Sequence, residues 1–241
     1  MNRLDTTLAF VLIILLATIL QTSTGFGFSI MATPFLLLIF APREAIQINL
    51  FLSLLISCVM IVKVRKDVNT KILKRLIVGS ATGLPIGILI FLNMDMRLLK
   101  INISVLILLL TILLMINLRM KQLPWRDTLV GGISGLLTTS IGMPGPPLLL
   151  YFSGTNMSKA ALRATTLAFY FFIYAVSLAI QIGFAGTSRE VQSSLIIGIP
   201  ISLVGIYLGQ LLFKWINQET FRMLTYLLLF IAGGYLLLQQ F

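Results

Sequence analysis

The sequence predicts an all-α membrane protein built as an inverted repeat of two halves, each with a re-entrant or broken-helix hairpin and three transmembrane helices. Hydrophobic residues make up 58% of the 241-residue chain and charged residues only 10%, against about 25% charged residues in a soluble domain. The mean hydropathy is +1.03. Long apolar runs alternate with short basic loops, and glycine and proline interrupt two of the runs in corresponding places. These features together favour a multi-pass bilayer protein.

The first apolar run, residues 7–40, contains Gly25, Gly27 and Pro34. As one helix it would reach about 51 Å, far beyond a hydrocarbon core of about 30 Å. We therefore expect a hairpin of two short helices that meet at a glycine-proline tip within the membrane. Irregular backbone at that depth requires burial in protein or a water-filled cavity.

The remaining runs continue the pattern in order. Three plain spans follow at residues 46–62, 76–92 and 98–118. The second interrupted run, residues 128–152, is too short for two full crossings and predicts a second hairpin. Three more spans follow it, at residues 164–184, 192–213 and 221–239.

The basic residues predict the orientation of these spans. If each hairpin enters and leaves on one side, 13 of the 18 lysines and arginines fall in the loops at 63–75, 119–127, 153–163 and 214–222. The positive-inside rule makes those loops cytoplasmic. We expect both chain termini outside, six full crossings, two re-entrant hairpins and a location in the cytoplasmic (inner) membrane.

The two halves, residues 1–120 and 121–241, resemble each other. Gly25 aligns with Gly142, and Ala45 aligns with Ala161. An odd number of crossings in each half inverts the second copy. Inverted repeats with interrupted helices are typical of transporters and indicate a site at the repeat interface. The glycine pairs 83/87 and 205/209 have the spacing of closely packed helices.

The two tips predict a site for an anion. A half-helix that begins inside the membrane presents unpaired N–H groups and the positive end of its dipole. Prolines suit a first helical turn, and glycines allow close approach of a ligand. The predicted substrate-binding set consists of polar, glycine and proline residues of the tips, three neighbours at the following spans and one residue at the end of the second hairpin. Its members are Thr22, Ser23, Thr24, Gly25, Gly27, Ser29, Asn49, Thr139, Ser140, Gly142, Pro144, Gly145, Pro146, Tyr151, Arg163 and Thr165. For each hydroxyl the alternative is a hydrogen bond to its own helix, and for Arg163 it is a positive-inside anchor.

Several other chemistries are disfavoured. The chain has no histidine, and its seven acids fall at span ends or in loops, so we expect no metal site, no cofactor and no catalytic residues. The net charge of +11 belongs to membrane loops rather than to a nucleic-acid surface. Cys58 lies in an apolar run, where we expect a buried structural thiol. The partners expected are a small anion and the lipid bilayer, with homo-oligomerisation left open.

The chain resembles the sulfite exporter TauE/SafE family over nearly its whole length. The resemblance rests on GFGFSIMATPFLLL in the first half, on GMPGPPLLLYF in the second, and on the segments AIQIN and ALRAT. It implies two repeated halves and transport of sulfite, other sulfur-containing anions or small organic anions. Phe26 and Phe28 stand where small residues often occur in the family, so we expect a cavity shaped for an organic acid rather than for a bare oxyanion.

The leading interpretation is a secondary carrier that exports a small anion such as sulfite, a sulfonate or a small organic acid. The alternatives are a membrane assembly subunit that transports nothing and, least favoured, a membrane enzyme. Transport by the purified protein in liposomes separates the first interpretation from the second.

Overall fold

The structure, a computed structural model, describes residues 3–93, 95–115, 122–152, 155 and 157–212, and six isolated positions after residue 226. These ranges contain nine α-helices and no strand: α1 Arg3–Thr24, α2 Phe28–Leu36, α3 Pro42–Val64, α4 Thr70–Asn93, α5 Met96–Met115, α6 Pro124–Ile141, α7 Gly145–Phe152, α8 Lys159–Ala185 and α9 Arg189–Leu212. The loop predicted at 214–222 lies outside the described residues, as do most of the span predicted at 221–239 and parts of the loops at 119–127 and 153–163.

The helices confirm an all-α, multi-pass membrane protein. Five helices in the described part of the chain are long and apolar enough to cross a bilayer: α1, α3, α4, α8 and α9. Within the described part of the chain, the spans predicted at 46–62, 98–118, 164–184 and 192–213 coincide with α3, α5, α8 and α9 to within a few residues at each described end. The span predicted at 76–92 lies within α4, which begins earlier, at Thr70.

Both interrupted runs break where the sequence predicted. α1 ends at Thr24, and α2 begins after Gly27, whose φ is +109°. α6 ends in a left-handed cap at Gly142, where the N–H of Met143 donates to the carbonyl of Leu137 at 3.1 Å. Glycine adopts this backbone at little cost.

The expectation of two short helices per hairpin is wrong for the first arms. α1 has 22 residues and α6 has 18, whereas α2 has nine and α7 has eight. At 1.5 Å per residue, α1 is about 33 Å long, enough to cross the hydrocarbon core. The arms are unequal because the first strong breaker of each run comes late, at Gly25 and at Gly142.

Close helix packing, predicted for the spaced glycines, is confirmed. A Cβ added at Gly83 of α4 would lie 1.9 Å from the carbonyl oxygen of Gly132 on α6. A Cβ added at Gly205 of α9 would lie 2.8 Å from the Cβ of Thr18 on α1. The long arm of each hairpin is therefore held against a full-length helix almost backbone to backbone.

The prediction of a buried thiol at Cys58 is wrong, because this side chain is exposed on α3. An apolar run does not distinguish the face of a helix that packs against protein from the face that meets lipid, because lipid tails are as apolar as leucine.

Candidate functional site

The two hairpin tips meet inside the helix bundle. A Cβ added at Gly145, the first residue of α7, would lie 3.0 Å from the Cδ1 of Ile30 in the first turn of α2. At the other end of α7, the rings of Phe152 and Phe26 have centroids 6.4 Å apart. The start of α7 thus lies beside the first turn of α2, and the end of α7 lies beside Phe26, which precedes α2.

Two tyrosines of α8 stand at the starts of the short helices. The same added Cβ at Gly145 would lie 2.9 Å from the hydroxyl oxygen of Tyr170. Tyr174, one turn further along α8, faces Ser29 of α2 and Ser53 of α3. The two tyrosine rings have centroids 5.2 Å apart. Tyr170 therefore lies at the beginning of α7, and Tyr174 lies at the beginning of α2.

The hydroxyl groups at this point are buried and find no hydrogen-bond partner of ordinary geometry among the described residues. This holds for Ser29, Tyr170 and Tyr174, all of which are completely inaccessible. Most buried polar side chains in proteins are hydrogen-bonded, and an unsatisfied one costs about 1–3 kcal/mol. Three such groups side by side indicate a place built to receive a polar ligand.

The two helix starts contribute differently to such a place. In α2 the first-turn residues Phe28, Ser29 and Ile30 all retain an N–H group. In α7, Gly145 is followed by Pro146 and Pro147, which have none. α2 can therefore donate several backbone hydrogen bonds, whereas α7 contributes one early N–H and the positive end of its dipole.

Several predicted hydroxyls are instead bonded to their own helix. Ser23 donates to the carbonyl of Ile19 at 2.7 Å, and Thr24 donates to that of Leu20 at 2.8 Å. Ser140 donates to the carbonyl of Leu136, also at 2.7 Å. Hydrogen bonds of this kind, from a hydroxyl to a carbonyl of the same helix, were the predicted alternative to substrate binding.

Two other predicted hydroxyls differ from that group. The hydroxyl of Thr139 lies 2.9 Å from that of Ser177 on α8. Thr22 is fully buried, and its hydroxyl has no partner in the part of the chain that the structure describes. Of the threonines and serines predicted on α1 and α6, Thr22 alone retains an unused hydroxyl.

Asn49 and Arg163 fix the position of the tips. The Asn49 amide donates to the carbonyl of Gly142 at 2.7 Å. Arg163, only 9% exposed, donates to the carbonyl of Thr22. A Cβ added at Gly25 would lie 2.9 Å from the Cα of Arg163. In each hairpin, a polar side chain from another helix thus donates to a carbonyl at the C-terminal end of the long arm and holds the tip. Carbonyl groups at a helix C-terminus lack partners within their own helix.

The remaining predicted residues lie in structural contacts, within the hairpins for Pro144 and Gly27 and between α8 and the residue before α4 for Thr165. The carbonyl of Pro144 accepts from Ser134 at 3.2 Å, and the hydroxyl of Thr165 accepts from the N–H of Asn69 at 2.9 Å. Gly27 packs against Leu20, where an added Cβ would lie 2.6 Å from Cγ.

Tyr151 belongs to a buried polar group at the base of the second hairpin. Its hydroxyl donates to Asp127 Oδ1 at 2.7 Å, and Arg75 of α4 lies 3.1 Å from Asp127 Oδ2. Asp127 is fully buried in the first turn of α6. The group joins the end of α7 to the start of α6 and to α4, which gives Tyr151 a clear structural contact distant from the helix starts.

Tyr170 and Tyr174 were missed in the sequence because they lie within an apolar run. A signal for them exists, since polar side chains recur along α8 every three or four residues and share one helical face. All members of this stripe are buried: Arg163, Thr166, Tyr170, Tyr174, Ser177 and Gln181.

Interrupted helices whose short arms meet within a bundle of membrane-length helices are typical of membrane transport proteins. The family model for the sulfite exporter TauE/SafE family matches residues 10–236. The chain belongs to this family of membrane transporters. No curated protein and no solved structure matches it significantly.

Proposed function

We propose that this protein is a secondary carrier that moves small sulfur-containing anions, or small organic acids of similar shape, out of the cell across the cytoplasmic membrane. The observation that carries the proposal is the set of three unpartnered, fully buried hydroxyls of Ser29, Tyr170 and Tyr174 at the starts of α2 and α7. The family description names sulfite as the exported substrate.

The chemistry of this cluster suits an oxyanion. Hydroxyl and backbone N–H groups donate to anionic oxygens, and hydrogen bonds to charged groups are worth about 1.5–3 kcal/mol each. The dipoles of α2 and α7 add positive potential at the same point. In this proposal Ser29, Tyr170, Tyr174 and the first turn of α2 bind the anion, while Asn49 and Arg163 hold the tips in place.

Export is the direction that the membrane potential favours. With the cell interior negative, moving one negative charge outward is favourable by about 2.3 kcal/mol per 100 mV. The carrier therefore needs no coupling ion to expel an anion against a moderate gradient.

The pairing of helices favours two halves, residues 1–120 and 121–241, related by an inverted repeat. The long arm α1 of the first half packs against α9 of the second, and the long arm α6 of the second half packs against α4 of the first. An axis within the membrane that exchanges the halves would make these two contacts equivalent. Rocking of one half against the other would then open the tips to each side in turn.

The test is export from liposomes that contain only the purified protein and are loaded with sulfite. We expect release of sulfite that is accelerated by an inside-negative potential and absent from protein-free liposomes. Ser29→Ala should reduce binding about tenfold or more, since one hydrogen bond to an anion is lost.

Ser140→Ala is the matched control, because that hydroxyl bonds to its own helix. It should transport normally. Failure of the purified protein to move sulfite, sulfonates or small carboxylates would favour an assembly subunit instead. Equal losses in the two serine variants would remove Ser29 from the site.

A further inference from the structure

The polar cluster at the helix starts is rich in hydrogen-bond donors but poor in charge. Among the residues that the structure describes, Asp127 and Arg163 are the charged side chains that are buried. Asp127 already pairs with Arg75, which is partly exposed. Arg163 is therefore the single buried cation near the tips in the described ranges.

The backbone of that cation lies about two helical turns or more from the two unpartnered tyrosines of α8, Tyr170 and Tyr174. Arg163 precedes Tyr170 by seven residues on α8, or about 10 Å along the helix axis. Its guanidinium also donates to the carbonyl of Thr22 at the end of α1. Hydroxyls, backbone N–H groups and helix dipoles thus make up the immediate surroundings of an anion bound between Ser29, Tyr170 and Tyr174.

We propose that the site accepts anions with a single negative charge and rejects dianions of the same shape. This inference rests on the proposed function and narrows its substrate class to monovalent oxyanions, such as sulfonates and singly protonated forms of inorganic acids. The inference concerns the charge of the substrate and not its size, so the ligands that test it must be nearly equal in size and shape.

The physical reason is the different dependence of two energies on charge. The cost of taking an ion out of water rises with the square of its charge, whereas its attraction to fixed dipoles and to one cation rises in direct proportion. Doubling the charge therefore quadruples the penalty but only doubles the gain. A site without a second nearby cation cannot compensate a dianion.

Three tetrahedral sulfur compounds of similar size test the inference at one fixed pH: neutral dimethyl sulfone, monovalent methanesulfonate and divalent sulfate. Their binding to the full-length protein in detergent micelles is measured by isothermal titration calorimetry. We expect methanesulfonate to bind about tenfold or more tightly than either of the others.

A tyrosine variant within the site and a matched tyrosine variant outside it test whether the measured binding occurs at this cluster. Tyr174→Phe should weaken methanesulfonate binding about tenfold, and Tyr207→Phe, on an exposed face of α9, should not. Ser29→Ala serves as the second site variant if Tyr174→Phe does not fold. Unchanged methanesulfonate affinity in the site variant would overturn the inference.

The other outcomes separate the inference from the proposed function. Sulfate binding as tight as that of methanesulfonate would overturn monovalent selectivity and leave an anion carrier. Dimethyl sulfone binding as tight as methanesulfonate, or no binding of any of the three, would overturn both.

Discussion

The first tip offers a glycine at which one added methyl group tests the hairpin geometry. Gly25 has a φ of +85°, and a Cβ at this position would lie 2.9 Å from the Cα of Arg163. Gly183 of α8 is also a glycine but is exposed, with ordinary helical backbone and nothing within 4 Å of an added Cβ. The same substitution to alanine should therefore have opposite effects at the two positions.

The magnitudes follow from the local geometry. At Gly25 the left-handed backbone costs alanine about 1–2 kcal/mol. The contact with Arg163 is shorter than a normal carbon–carbon separation of about 3.5–4.0 Å. Because the contacted atom is backbone, α8 itself must move, at an overpacking cost of about 1–3 kcal/mol. Gly25→Ala should lose about 2–5 kcal/mol in total, and Gly183→Ala should gain up to about 1 kcal/mol from helix propensity.

The assay is thermal unfolding in detergent micelles, followed by the fraction that remains monodisperse on size-exclusion chromatography. For a chain of this length about 1 kcal/mol corresponds to about 2–4 °C, so Gly25→Ala should lower the midpoint by about 4–20 °C. The Gly183→Ala midpoint should equal or exceed that of the unsubstituted protein. Indistinguishable midpoints for the two variants would refute a left-handed, closely packed tip at Gly25.

Three further predictions address the packing, the buried acid and the orientation. Gly83→Ala should strongly destabilise the fold in the same assay, because its Cβ would lie 1.9 Å from the carbonyl oxygen of Gly132; a normal midpoint would contradict the α4–α6 contact. Asp127→Asn should cost about 1.5–3 kcal/mol, because it removes the buried carboxylate that accepts from Tyr151 and pairs with the partly exposed Arg75, whereas Asp67→Asn, on an exposed turn, should be nearly neutral; equal midpoints would show that these contacts contribute little. A cysteine introduced at the exposed position of Glu190 in a Cys58-free background should react with an impermeant reagent added outside, and labelling only after the membrane is opened would reverse the predicted orientation.

The sequence was sufficient for the features that depend on local backbone chemistry. Hydropathy predicted the spans, and glycine and proline predicted the breaks at Gly25 and Gly142, since both effects act within a few residues of the chain. The spacing of Gly83 and Gly205 was likewise enough to predict close helix packing. The orientation and the repeat remain predictions from charge and from internal similarity.

The sequence was not sufficient for the arrangement of polar side chains at the tips. It gave equal weight to Ser29 and Ser140, although one hydroxyl is unpartnered and the other bonds to its own helix. It also overlooked Tyr170 and Tyr174 within the apolar run of α8, and it predicted a buried side chain for Cys58, which is exposed.

The tertiary structure decided these points because they depend on which helix faces which. In a bilayer the lipid-facing and protein-facing sides of a helix are both apolar, so hydrophobic periodicity carries little information about orientation around the helix axis. Only the approach of α7 to α2 and α8, which brings Gly145 beside Ile30 and Tyr170, determines which hydroxyls meet at the helix starts. The sequence by itself determined that the chain is a membrane protein with two interrupted helices, and the packing of distant segments determined what those interruptions present to a substrate.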